Sequence, residues 1–358
     1  MKLVTLSVDT PVGPVERLGA LLGETHILDL QAAYARLLES REEPQPGRIA
    51  RALLPADMVG FLEGGKRSLE AAREALAAMK AAGGAAARDI QALRRQRGPG
   101  GETLLYALSE ARLQAPVPRP PALRDFLAFE EHAKQGAARR GEALAPEWRQ
   151  IPAYYKGNHR EIYGPDDEIP WPSYTRRLDF ELEIGCVVGK KGRNLAPEEA
   201  ARHIAGYTLL NDFSARDIQK REMAARMGPA KGKDFATALG PFLLTADEMP
   251  EPGNLALAVR VNGTAWSEGN FGARHWSFPL MLSHVSQEET VYPGDVLGSG
   301  TFYRGCGLDL DRWIEPGDVV EIEAEKLGVL RNRIGRPRQE RHLDYSDFWK
   351  EAPSPRKK

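Results

Sequence analysis

The chain has 358 residues, enough for two domains at the usual roughly 100 to 200 residues each and for a sizeable buried core. Lysine and arginine number 49 against 50 aspartates and glutamates, so no global field draws the protein to nucleic acid or an anionic membrane. Two cysteines in no zinc or redox spacing, no apolar window near the roughly 18 residues of a membrane span and no leader pattern at the start predict a cytoplasmic protein with reduced thiols.

Along the chain, Leu3 to Val8, Leu18 to Leu22 and His26 to Leu30 alternate apolar and polar residues between Pro and Gly, which predicts a short strand meander. From Leu30 to about Arg97 the pattern becomes helical and Ala-rich, with Gly83 and Gly84 marking a break. The cluster Arg94, Arg95, Arg97 suits a helix C-terminus, and without interleaved aromatics it argues against a nucleic-acid module. The proline-rich stretch QAPVPRPPALRD places a domain boundary near Pro118 to Pro121. An accessory domain over 1–118, a catalytic domain over 119–345 and a Lys-rich tail over 346–358 follow.

Beyond that boundary strands dominate. RRLDFELEIGCVVGKKG alternates, PEEAARHI predicts a short helix opened by proline, and AGYTLLND predicts another strand. Asn262-Gly263 between two alternating runs predicts a hairpin, and two PGD turns separate later strands. In LDFELEI the period of two puts Asp179, Glu181 and Glu183 on one face, where carboxylates could converge on a hard cation; the plainer alternative is a solvated strand face. In LLNDFSARDIQKREM, Asp212, Arg216 and Gln219 stand at i, i+4 and i+7, either a metal and anion face or a surface helix capped by Asp212. Lys233 lies in the Gly-rich GPAKGKDFATALGPF, placed to meet developing negative charge or simply solvent. Cys186 reads as core and Cys306 as a packed thiol, with no nucleophile motif around it.

Together with PGDVLGSGTFYRGCG and PGDVVEIEAEKLGVLRN, these segments resemble the fumarylacetoacetate hydrolase family over roughly residues 120 to 335. The resemblance implies an α+β fold, with a mixed β-roll catalytic domain that dimerises and a smaller N-terminal β/α domain. It places Glu181, Glu183 and Asp212 on the family's metal carboxylates and Asp125 on the fourth ligand, for Mg²⁺ first and Ca²⁺ or Mn²⁺ as alternatives. His132 falls on the water-activating histidine, with Asp309 preferred to Glu131 as its carboxylate partner. Lys233, Arg216 and Gln219 fall on positions that bind substrate or stabilise its charge, with Lys233 and Thr237 also near the metal. Tyr155 and Thr301 match substrate contacts.

Two positions depart from the family pattern: Leu127 stands where a tyrosine is expected, and Gln135 where smaller members place a glutamate. The implied reaction is metal-dependent C–C hydrolysis of a small 1,3-dicarbonyl acid through an enolate. Isomerisation or decarboxylation of a 2-oxo or 2-hydroxy dienoic acid in aromatic catabolism is the alternative, and a non-catalytic binding module a distant third.

Overall fold

The structure is a computed structural model describing residues 1–83 and 87–337. The expected tail and the expected break at Gly84 lie outside these residues, while the preceding helix ends at Gly83 and the next starts at Ala87. The fold is α+β as expected.

One large mixed sheet organises the chain. Its central path runs Leu105–Ala107, His26–Asp29, Gly13–Leu22, Lys2–Thr10, Thr237–Thr245, Ile204–Asp212, Leu182–Val188, Val296–Gly298, Leu123–Phe126 and Tyr154–Gly157. Lys2 and Leu3 pair antiparallel with Leu244 and Leu243, so the N-terminal meander extends the sheet that carries the later strands. Residues 114–122, around the expected boundary, hold no helix or strand, yet the sheet and its core cross that boundary.

Strand periodicity splits the core between the two faces of this sheet. On one face Leu3, Leu123, Val187, Leu210, Leu239 and Val296 pack with the apolar stripes of the helices between Leu30 and Arg95. On the other, Val4, Ile184, Cys186, Leu209 and Leu244 pack against a five-stranded sheet built from Thr264–Asn270, Ala256–Val261, Val319–Ala324, Gly328–Ile334 and Glu168–Ile169. The helical layer begins where Asp29 ends its strand and its carboxylate accepts the Ala32 N–H at 2.9 Å, capping Leu30–Ser40.

Local chemistry explains the turns. Asn262 and Gly263 have φ of 52° and 74°, the two positive values that a tight hairpin between Ala256–Val261 and Thr264–Asn270 requires. The glycines of the two PGD turns, Gly294 and Gly317, are likewise at positive φ. Pro197 opens the short helix Pro197–Ala200. No helix among the described residues is long and apolar enough to cross a membrane.

Candidate metal centre and proton-transfer dyad

The site lies where one sheet face changes character. Leu123, Leu210 and Leu239 belong to the helix-facing core, and two residues further along the same face stand Asp125, Asp212 and Thr237. On the neighbouring strand Val187 leads through Gly185 to Glu183. Register aligns these ends: Gly298 pairs with both Gly185 and Asp125, and Asp212 pairs with Thr237. Oxygen atoms of Asp125, Glu181, Glu183 and Asp212 all lie within 4.8 Å of one another.

Burial excludes the solvated-face alternative, because these four residues expose only 5%, 6%, 1% and 1% of their surface. Gly298 makes the convergence feasible: a side-chain carbon there would stand 2.2 Å from Asp125 Oδ1. The Gly300 N–H donates to Glu183 Oε2 at 2.8 Å and to Asp125 Oδ1 at 3.3 Å. Tyr155 donates its hydroxyl to Asp212 Oδ2 at 2.8 Å.

Lys233 is buried and donates to Glu181 Oε2 at 2.6 Å and also to Asp212 Oδ2. The Lys231–Phe235 turn that carries it is held by Glu222, whose carboxylate accepts the N–H groups of Ala230, Lys231 and Gly232 at 3.0, 2.7 and 3.2 Å. Arg216 reaches Glu181 at 2.7 Å, Asp179 at 2.7 Å and Gln219 at 3.0 Å.

Two pattern readings need correction. Asp179 shares the side of Glu181 but stays out of the carboxylate quartet, because it accepts from Arg216 and from the Phe180, Gly307 and Leu308 N–H groups. Asp212, Arg216 and Gln219 do not share a helical face. Asp212 ends a strand, Ser214–Ala215 follows, and the helix starts only at Arg216 with Ala215 as its cap residue. The buried Thr301 hydroxyl donates to the Leu182 carbonyl at 2.9 Å.

Electrostatics sets the chemistry. Counting Asp179 with the quartet, five buried carboxylates face the two buried cations Lys233 and Arg216, which would leave an excess of three negative charges if all five were ionised. Burial, then mutual repulsion, drives Asp125 and Glu183 well above the ordinary carboxylate range. Burial and Glu181 raise Asp212 as well, against the pull of Lys233. Glu181 alone is lowered: burial opposes its ionisation, but the Arg216 and Lys233 charges prevail, with a smaller contribution from His132. Glu183 Oε1 and Asp212 Oδ1 are buried with no hydrogen-bond partner among the described residues. Excess negative charge, all-oxygen donors and unpartnered buried oxygens together fit a hard divalent cation.

Beside the quartet, His132 on the helix Glu130–Ala138 meets Asp309 on Gly307–Leu310, with Nδ1 and Oδ2 2.7 Å apart. Glu131 instead accepts from Gln135 at 2.9 Å. Burial would raise Asp309, but the hydrogen bond and charge of His132 hold it below its usual range. Cys306 pairs its backbone with Glu181, which ties the dyad's neighbourhood to the strand that begins the metal face. Sequence reasoning missed Gly298, Gly300 and Glu222; the GSG of the GSGT segment was the available signal for the two glycines.

The chain matches the family described as fumarylacetoacetate (FAA) hydrolase C-terminal over residues 122–335. It is 32% identical over 284 residues to a human mitochondrial oxaloacetate tautomerase, covering 78% of this chain and 80% of that protein. It is 28% identical over 325 residues to a Bacillus subtilis oxaloacetate tautomerase, covering 88% and 95%. Among solved structures, maleylpyruvate hydrolase from Sphingobium sp. SYK-6, in complex with manganese (II) ion and pyruvate, aligns at a TM-score of 0.64 with 20% identity over 94% of this chain and 100% of that chain.

Proposed function

The chain belongs to the fumarylacetoacetate hydrolase family, and from that premise we propose that it is a divalent-metal-dependent enzyme that enolises a small 2-oxo acid. The observation that carries this reading is the buried carboxylate quartet with its excess negative charge, set beside a histidine–aspartate dyad. Asp125, Glu181, Glu183 and Asp212 would hold the cation, Mg²⁺ first with Ca²⁺ or Mn²⁺ as alternatives that the oxygen-only donor set also suits. Such an ion polarises a carbonyl and stabilises the adjacent enolate charge.

The protein's own groups move the proton. Asp309 orients His132 through Nδ1, which leaves the other ring nitrogen to take or return a proton at the substrate. Lys233 brings a fixed positive charge to the same carboxylates and offsets negative charge that develops beside them. Arg216, tied to Asp179, Glu181 and Gln219, holds Glu181 ionised and in place, so its contribution to substrate binding is indirect.

Keto–enol tautomerisation of an oxaloacetate-type acid needs only this enolising step, and the two tautomerase relatives, each matched over more than three quarters of the chain, support it first. C–C hydrolysis of a 1,3-dicarbonyl acid is the second reading, favoured by a dyad that could equally draw a proton from water. The test is a chelated sample assayed on oxaloacetate, acylpyruvates and fumarylacetoacetate with Mg²⁺, Mn²⁺ or Ca²⁺ restored. Metal-dependent decay of the oxaloacetate enol absorbance without fragmentation supports tautomerisation, and two fragments from a diketone support hydrolysis. Turnover indifferent to chelation would overturn the metal assignment.

A further inference from the structure

We propose that His132, Cys306 and Asp309 form a second, inhibitory metal site, suited to a borderline divalent ion such as zinc rather than to the hard ions of the quartet. A ring nitrogen of His132, the Cys306 sulfur and a carboxylate oxygen of Asp309 lie within 4.8 Å of one another. Zinc bonds nitrogen at about 2.0–2.1 Å and sulfur at about 2.3 Å, so ligands around a tetrahedral ion stand roughly 3.2–3.8 Å apart. His132 Nδ1 and Asp309 Oδ2, 2.7 Å apart in their hydrogen bond, would have to separate to that spacing as the ion replaces the shared proton.

Donor type separates this site from the quartet. Four carboxylates offer only hard oxygen, whereas imidazole and thiolate favour a softer ion. Cys306 and Asp309 are deeply buried, so an entering ion must leave little net charge behind. Thiolate and carboxylate supply two negative charges against the ion's two positive ones, and His132 is neutral as a ligand. Burial keeps the Cys306 thiol protonated beforehand, so binding breaks the S–H bond, forms the metal–sulfur bond and releases one proton to solvent. Two cations lie close: Arg139, 3.8 Å from Asp309, and Arg216, which Asp179 and Glu181 already neutralise. His132 is partly exposed and opens the way in.

An ion held there takes His132 away from proton transfer. This inhibitory half rests on the proposed function, while the binding half does not. Protein saturated with Mn²⁺ is titrated with Co²⁺, and the thiolate-to-cobalt charge-transfer band in the near ultraviolet is read alongside activity. The wild type should develop the band, Cys306→Ser should lack it, and Cys186→Ser should keep it. Cys306→Ser should retain Mn²⁺-supported activity while its zinc inhibition midpoint rises at least about tenfold. Asp309→Asn, which leaves the thiol intact, should weaken the cobalt titration and covers the case in which Cys306→Ser folds poorly. No band in the wild type, or a band that survives Cys306→Ser, overturns the site. Zinc inhibition equal in both proteins and relieved by excess Mn²⁺ would assign the inhibition to the quartet. The band is read whether or not any oxo acid turns over, so a failed functional reading is distinguished from a failed site.

Discussion

Gly298 tests the metal centre without replacing a ligand. In Gly298→Ala the added carbon would stand 2.2 Å from Asp125 Oδ1 and 2.9 Å from Glu183 Oε2, where ordinary contact begins near 3.4 Å. Asp125 must therefore retreat by about 1.2 Å, the difference between 3.4 and 2.2 Å. Both carboxylates are also tied to the Gly300 N–H, so retreat breaks a second contact. Metal–ligand distances tolerate only about 0.2 Å. The variant should lose about 10- to 100-fold in Mn²⁺ affinity, the usual effect of disturbing a ligand's support, or about 1.4–2.8 kcal/mol. Gly298 is a strand residue without positive φ, so alanine suits the backbone and the metal-free fold should survive. Calorimetric titration of chelated protein with Mn²⁺, alongside thermal unfolding of the same sample, measures both. Wild-type affinity in a folded variant would refute the assignment of this face to the metal.

Three further outcomes follow from the same geometry. His132→Ala should cut turnover by about 100- to 10,000-fold with Mn²⁺ affinity unchanged, checked by steady-state kinetics and titration on one preparation. Glu222→Ala removes the acceptor of three N–H groups in the turn that carries Lys233, and a shift of Lys233 by about 1 Å would cost up to about 100-fold in turnover; hydrogen exchange at residues 230–233 should rise, with partial recovery in Glu222→Gln. In chelated protein, Asp125, Glu183 and Asp212 are raised, so between the ordinary carboxylate range and those raised values the fold binds protons that the unfolded chain has released. Metal-free stability should therefore fall as pH rises through that window, while Mn²⁺ displaces the protons. The gap in Tm between loaded and chelated protein should widen with pH, and a constant gap would show that these groups do not titrate with the metal.

How much could be read beforehand depended on the range of the contact. Asn262-Gly263, the PGD turns and Pro197 encode local backbone geometry, and each forms the expected turn or helix start. The alternation in LDFELEI could show that carboxylates share a side, but not that Asp179 would be occupied by Arg216 and three N–H groups, two of them from Gly307 and Leu308, far along the chain. The i, i+4, i+7 spacing from Asp212 misled because the strand continues to Asp212 and a short strand delays the helix to Arg216. Helical periodicity was applied before the helix began. The role of Gly298 was illegible for a different reason: its contribution is the space it leaves, and that space has meaning only once Asp125 and Glu183 are placed beside it.

The two readings of function part after enolisation, so the quartet cannot distinguish them. A tautomerase must take a proton from one atom and return it to another on the same substrate. A hydrolase must also admit a water within reach of His132 and keep it there while carbon leaves. In the proposed function both tasks fall to the dyad and to what stands near it. Leu127 stands two residues after Asp125, where the family resemblance implies a tyrosine hydroxyl. Leu127→Tyr is the discriminating variant: a gain of diketone cleavage over the wild type would locate the difference at that position, and no change in either activity would remove Leu127 from the argument.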